Sequence, residues 1–213
     1  MNINMIEKAY RESSSPEIFS KKYINYLCEI LNSLDFKAIG NFIELIISAQ
    51  NRGSHIFFLG NGGSASTASH FANDLSIGTR SWKKPFKALS LTDNNAIITA
   101  LGNDCGYDEI FVQQLRIHMS PSDVVVAISA SGNSPNVIKA VEYANTNDGI
   151  TIGLSGFDGG ALREIANYSI HIPSNKGEYG PVEDAHMVLD HLLNGYLLGM
   201  LKYERTAEVK NEL

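Results

Sequence analysis

The chain has 213 residues, of which 44% are hydrophobic and 19% charged, enough to bury one substantial core in a single domain. Its formal net charge of −6 gives no electrostatic reason to expect nucleic acid or an anionic membrane surface as the main partner. The two cysteines are too few for a disulfide framework and favour a reducing compartment. No apolar run approaches the roughly 20 residues that span a bilayer, so we expect a soluble cytoplasmic protein without a membrane partner.

The chain begins with two predicted amphipathic helices. Apolar residues recur at spacings of three and four over residues 18–34 and 36–50, which is typical of a helical hairpin. We assign residues 1–53 to N-terminal helices that serve oligomer packing. Residues 54–213 form an α/β core with a C-terminal helix, so that the whole chain 1–213 is one domain.

Short apolar segments then alternate with helix-like segments. The five predicted strands are residues 56–59, 87–91, 124–129, 151–155 and 168–172. Such alternation predicts a parallel sheet covered by helices, an α/β fold with three layers. A long apolar helix is predicted at the end, over residues 182–203.

The first predicted strand runs into a turn rich in glycine and hydroxyl residues. Gly60, Gly62 and Gly63 permit a tight turn, and Ser64 follows at the start of a helix. Free backbone N–H groups at a helix N-terminus, together with the helix dipole, attract an anion. His70 and Asp74 lie four residues apart on the same helix, so both side chains fall on one face.

The third predicted strand ends in a similar loop. Three serines surround Gly132, and Pro135 suits the first turn of the following helix. Neither loop is a Walker motif or a dinucleotide fingerprint, so ATP and NAD are not expected ligands. Because open α/β sheets bind ligands at the carboxyl ends of their strands, the two loops together predict one phosphate site.

Four segments of the chain resemble the sugar isomerase (SIS) family, and within it the phosphoheptose isomerase branch. They are GNGGSASTASHFANDL (60–75), LGNDCGYDEIF (101–111), AISASGNSPNVIKA (127–140) and PVEDAHMVLDH (181–191). The resemblance implies a flavodoxin-like sandwich and an aldose–ketose isomerase that converts sedoheptulose 7-phosphate into D-glycero-D-manno-heptose 7-phosphate through an enediol. It also implies surface-polysaccharide heptose synthesis and a homotetramer with sites at subunit boundaries.

The resemblance also assigns roles to residues. The catalytic pair would be Asp74 and His191. A divalent metal, with zinc as the first candidate, would be held by His70, Asp74, Glu183 and His191. The substrate would contact the two loops and three further positions: Asn61, Gly62, Gly63, Ser64, Asp93, Asn94, Ser129, Ala130, Ser131, Ser134 and Glu183.

Three positions depart from the family pattern. Asp74 stands where the family has glutamate, Glu183 where it has glutamine, and Gly180 where it has an acidic substrate contact. A set of two carboxylates and two imidazoles suits Zn²⁺ and also Mn²⁺ or Fe²⁺. The departures leave open an isomerase of a different sugar phosphate. A non-catalytic phosphosugar-binding or adaptor protein is a further alternative, which retention of His70, Asp74 and His191 disfavours.

The spacing within the last helix raises one difficulty for the implied metal site. Eight residues separate Glu183 from His191, about 12 Å along a straight helix. Either Glu183 precedes or begins an irregular helix near Gly180 and Pro181, or the two residues serve sites in different subunits.

Overall fold

The computed structural model describes residues 4–211, with side chains to residue 203. Three helices precede the sheet: α1 (Met5–Arg11), α2 (Pro16–Asn32) and α3 (Phe36–Arg52). The predicted hairpin corresponds to α2 and α3, which begin at side-chain caps on Ser15 and Asp35. The short helix α1 was not predicted from the sequence, because only one of its residues, Ala9, is buried and its apolar periodicity is weak.

The centre of the molecule is a sheet of five parallel strands in the order β2-β1-β3-β4-β5. The strands are β1 (His55–Gly60), β2 (Lys87–Ser90), β3 (Val124–Ser129), β4 (Ile150–Ser155) and β5 (Tyr168–His171). All five were predicted, with ends displaced by at most one residue. The order reverses between β1 and β3, where Gly60 pairs with Ile128, and this is the point at which such sheets bind ligands.

Helices cover both faces of the sheet, as the α/β prediction required. They are α4 (Gly63–Asn73), α5 (Asn95–Asp104), α6 (Val112–His118), α7 (Pro135–Thr146), α8 (Gly160–Ile165) and α9 (Tyr179–Asn211). A π-helical turn (Asp74–Gly78) continues α4, and a 3-10 turn (Tyr107–Glu109) precedes α6. Successive side chains of β1 point to opposite faces of the sheet, each of which carries a hydrophobic core. Ile56 and Phe58 pack into one core, and Phe57 and Leu59 pack into the other.

The last helix starts three residues earlier than predicted, at Tyr179. Pro181 lies in its first turn, where a backbone N–H has no acceptor within the helix, so proline loses no hydrogen bond there. Glu183 is therefore part of the helix, and the first of the two explanations for its spacing from His191 is wrong. Within the described residues no helix is long and apolar enough to cross a membrane.

Candidate active site

The two predicted loops meet around one cavity of about 160 Å³ at the carboxyl ends of β1 and β3. The structure brings together six of the predicted substrate-binding residues there, and Glu183 with them. The lining is Asn61, Ser64, Ile128, Ser129, Ala130, Ser131, Ser134, Tyr179 and Glu183. Tyr179 was missed by the sequence analysis because it precedes the predicted start of the last helix.

Two helices present their N-termini at this cavity. Neither α4 nor α7 has a side-chain cap, so no side chain competes for their first backbone N–H groups. Gly62, the residue before α4, has a positive φ of 55°. Gly132 has φ 64°, and a Cβ on it would fall 1.9 Å from the carbonyl oxygen of Gly159. The loops thus form a backbone cradle that suits a phosphate group.

Asn61 is fixed in the cavity wall by two residues that the sequence analysis did not identify. Its side-chain amide exchanges two hydrogen bonds with the amide of buried Asn136, at 2.8 and 2.9 Å. The hydroxyl of Tyr107 donates a third hydrogen bond to Asn61 Oδ1 at 3.0 Å. Both partners come from segments distant in sequence, so no local pattern could have revealed them.

Glu183 packs against the start of α4. A Cβ on Gly63 would lie 2.3 Å from Glu183 Oε2, so only glycine leaves space for this carboxyl group. Burial, followed by the charge of Asp184, raises the pKa of Glu183. The side chain belongs to the wall of the cavity, and the described structure does not bring it to His70, Asp74 and His191.

Asp93 and Asn94 lie beyond the end of β2, the strand beside β1. Asp93 accepts hydrogen bonds from the hydroxyls of Ser69 and Thr92, the second at 3.3 Å. Ser69 precedes His70 on α4, so Asp93 is tied to α4 one residue before that histidine. Asn94 instead caps α5 by accepting a hydrogen bond from the Ile97 N–H at 3.2 Å.

A second polar cluster lies farther along α4 and α9. One ligand atom each from His70, Asp74, Asp190 and His191 lies within 4.8 Å of the others, so these residues could hold a metal ion. Nε2 of His70 is 3.6 Å from Asp74 Oδ2 and 3.7 Å from Asp190 Oδ2. The rings of His70 and His191 meet edge to face at 5.2 Å. Three of the four predicted ligands are therefore together, and Asp190 joins them.

Asp74 is held in place by its neighbours. It begins the π-helical turn, a feature common at functional sites. Its Oδ2 accepts a hydrogen bond from Asn194 on α9 at 3.0 Å, and its Oδ1 one from Asn73 at 3.1 Å. The carboxylate thus has a fixed direction, although a side chain one methylene shorter than glutamate reaches less far.

Asp190 is fully buried. Among the described residues, neither of its carboxylate oxygens has a hydrogen-bond partner. Burial, followed by the charge of Asp74, raises the pKa of Asp190 to about 7. Asp190 could not be identified from the sequence, because nothing in its local pattern shows that it faces α4.

The start of α9 is also tied to α2. The Tyr23 hydroxyl donates a hydrogen bond to Asp184 at 2.5 Å. A Cβ on Gly180 would lie 3.0 Å from this hydroxyl oxygen. Tyr23 therefore borders Gly180, the position at which the resemblance implied an acidic substrate contact, and it is a neighbour that only the tertiary structure reveals.

An anion cradle at the switch point of a parallel sheet, beside a carboxylate–imidazole cluster, makes this an α/β domain suited to a phosphorylated small molecule and to proton transfer on it. A family model described as the SIS domain matches residues 21–156. The chain belongs to the SIS domain family.

Similar proteins include several phosphoheptose isomerases. The one from Citrifermentans bemidjiense is 36% identical over 78% of this chain and 87% of its own length. The one from Aquifex aeolicus is 31% identical over 90% of this chain and 93% of its own length. The solved phosphoheptose isomerase from Neisseria gonorrhoeae superposes with a TM-score of 0.77 at 27% identity, covering 86% of this chain and 98% of that one.

Proposed function

We propose that the protein is an aldose–ketose isomerase that converts sedoheptulose 7-phosphate into D-glycero-D-manno-heptose 7-phosphate. The observation that carries this proposal is the placement of an anion cradle and a carboxylate–imidazole cluster along one pair of helices. The helices α4 and α9 contribute residues to both, with the cradle at one end of the pair and the cluster at the other. The two relatives named above as phosphoheptose isomerases match 78% and 90% of this chain, which supports the same reaction.

The two helices run parallel and set the distance between the two ends. Gly63 faces Glu183 at the cradle, and His70 faces Asp190 at the cluster, seven residues farther along each helix. Seven residues of α-helix rise about 10 Å. This is comparable with the separation of the carbonyl end and the phosphate in an extended sugar phosphate. A phosphate bound in the cradle therefore directs the carbonyl end of the sugar to the cluster.

The cluster contains the groups that an isomerisation through an enediol requires. Asp74 is the base that moves a proton between C1 and C2, and a base must come within hydrogen-bond distance of that proton. His191, exposed and next to His70, exchanges protons with the substrate oxygens and assists ring opening. Asn194 holds the Asp74 carboxylate, so the base does not rotate away from the substrate.

The same residues fit a divalent metal. Two imidazoles and carboxylate oxygens form a donor set that Zn²⁺ accepts, and the unpartnered oxygens of buried Asp190 support a cation at this place. His70, Asp74 and His191 would hold the ion. When bound, it supplies a positive charge that polarises the substrate carbonyl.

The outer face of α9 supports a homotetramer. Val188, Leu192 and Tyr196 are exposed at four-residue spacing and form an apolar stripe, and a second copy of the chain would cover it. The N-terminal helices 1–53 contribute to the same packing in this proposal. Exposed free thiols on Cys28 and Cys105 favour the cytoplasm, where the product would feed surface-heptose synthesis.

A different sugar phosphate is the second candidate substrate. Gly180 leaves a space bordered by the Tyr23 hydroxyl, and Glu183 places a carboxyl group in the cavity wall. Both change the hydrogen bonds offered to the sugar. An adaptor protein without catalysis is disfavoured, because such a role gives no reason for an imidazole–carboxylate cluster.

The test is incubation of the purified protein with sedoheptulose 7-phosphate, with Zn²⁺, Mn²⁺ or EDTA, followed by NMR. Appearance of the aldose signals supports the proposal. Binding of the sugar phosphate without turnover under every condition contradicts it and favours the adaptor. Turnover of another ketose phosphate at a higher kcat/KM would identify the second candidate.

A further inference from the structure

We propose that Asp190 is a ligand of the divalent metal, in the position that the family resemblance gives to Glu183. This inference rests on the proposed function only for the presence of a metal in this cluster. It changes which residues of this chain hold the ion, and it leaves Glu183 in the wall of the cavity.

The first observation is the isolation of the Asp190 carboxylate. The side chain is fully buried on α9, and neither oxygen has a hydrogen-bond partner among the described residues. Transfer of a carboxylate out of water is unfavourable unless an opposite charge or hydrogen bonds compensate. A carboxylate oxygen of Asp74 lies within 4.8 Å, and this second negative charge makes the position still less favourable. A bound cation removes both penalties.

The second observation is the convergence of three side chains on one point. Nε2 of His70 lies 3.6 Å from an oxygen of Asp74 and 3.7 Å from an oxygen of Asp190. Both distances exceed those of hydrogen bonds, and a neutral imidazole nitrogen has at most one proton to donate. The atoms therefore do not form an ordinary hydrogen-bond network. Such spacing is typical of ligands around an ion, each about 2.0–2.2 Å from it.

The third observation concerns Glu183. It lies seven residues before Asp190, about 10 Å away along the helix axis, with its carboxyl group against Gly63. Within one chain it cannot share an ion with His70 and Asp74 unless α9 moves. Asp190 directly precedes His191 and supplies a carboxylate oxygen at the level of His70 along the helix axis.

Direct metal binding tests this assignment. The full-length protein, stripped with EDTA, is titrated with Co²⁺ and followed by visible absorption, and Zn²⁺ content is measured after dialysis. We compare the original protein with Asp190→Asn and, as a matched loss of one carboxylate on the same helix, Glu183→Gln. Asp190→Asn should weaken metal binding by more than the ~10–100-fold that is typical when a residue hydrogen-bonded to a metal ligand is replaced. Glu183→Gln should change the metal affinity by less than about threefold.

Three results would overturn the assignment. The first is equal metal affinity in Asp190→Asn and the original protein. The second is a loss of metal affinity in Glu183→Gln as large as that in Asp190→Asn, and the third is no metal binding by the original protein. Thermal unfolding in EDTA shows whether a loss of metal affinity comes from misfolding of the variant. Asp190→Asn removes a buried charge, so without metal it should unfold at the same or a higher temperature than the original protein. Turnover of sedoheptulose 7-phosphate, measured separately, reports on the proposed function. Turnover with an unchanged metal affinity in Asp190→Asn would reject the ligand and retain the function.

Discussion

Glu183 on α9 lies against Gly63 at the first turn of α4, with Oε2 only 2.3 Å from the place of a Cβ on residue 63. A carboxyl group thus forms part of a cavity that suits phosphate. Because two negative charges repel, Glu183 weakens anion binding whenever it is ionised, and its raised pKa lessens this effect.

Replacement of Glu183 by glutamine should therefore strengthen binding of sugar phosphates. The amide keeps the shape and removes the charge, so we expect roughly fivefold tighter binding, about 1 kcal/mol for a partly exposed charge. Isothermal titration with sedoheptulose 7-phosphate in EDTA measures the effect. Weaker binding by Glu183→Gln would show that the carboxylate instead accepts hydrogen bonds from the sugar hydroxyls.

Asp74→Asn should abolish turnover while sugar-phosphate binding persists. The amide cannot accept a proton from carbon, so kcat should fall by about 10²–10⁴, the usual contribution of a general base. NMR assays of turnover and titration of binding measure the two effects. Asp148→Asn is the matched control, because Asp148 is exposed and its positive φ of 57° suits asparagine. Retained activity in Asp74→Asn would assign the base to another residue.

Gly132→Ala should destroy the phosphate loop. Alanine at φ 64° is unfavourable by about 1–2 kcal/mol, and its Cβ would also collide with the Gly159 carbonyl at 1.9 Å. We expect loss of sugar-phosphate binding together with a lower melting temperature. Gly102→Ala on α5 is the control, since a Cβ there has open space, and it should stabilise the helix by roughly 0.5–1 kcal/mol.

Glu178 should contribute stability that acid removes. Burial acts against its ionisation most strongly, but hydrogen bonds from the Tyr26 hydroxyl, from Asn175 and from the Met5 N–H together lower its pKa below the usual 4.5. A depressed carboxyl pKa gives stability that is complete above 4.5 and is lost as pH falls through the folded-state value.

Glu178→Gln therefore tests the acid sensitivity of the attachment between α9 and the N-terminal helices. At neutral pH the variant should be less stable by about 2 kcal/mol, because its amide group replaces an acceptor of charge-assisted hydrogen bonds. Thermal unfolding is measured from pH 7 to pH 3. The difference in melting temperature between the original protein and Glu178→Gln should shrink below 4.5, the usual pKa of a glutamate side chain. A constant difference would mean that ionisation of Glu178 is not involved.

Leu192→Lys should disrupt the proposed tetramer. The substitution places a charge within the apolar stripe on α9, and light scattering after size exclusion should show smaller assemblies. Ile117→Lys, on α6 in the opposite layer and 76% exposed, is the control and should leave the mass unchanged. An unchanged mass in Leu192→Lys would place the subunit contacts elsewhere.

Local sequence patterns were sufficient for much of the fold. Buried strands such as 124–129 are continuous apolar runs bounded by turn residues, and α2 and α3 carry clear caps and a helical period. The turn chemistry around Gly62 and Gly132 also predicted the anion cradle. The π-helical turn at Asp74 was not predictable, because its extra residue per turn leaves no separate periodicity in five residues.

The sequence by itself determined the strands, the two glycine- and serine-rich loops and the shared helix face of His70 and Asp74, because these depend on spacing within one element. The role of His191 was implied only by the family resemblance. Only the tertiary structure decided which residues share a site. The parallel packing of α4 on α9 places Gly63 beside Glu183 and His70 beside Asp190. The register between two helices 120 residues apart is set by side-chain packing across their interface, and neither helix contains that information alone.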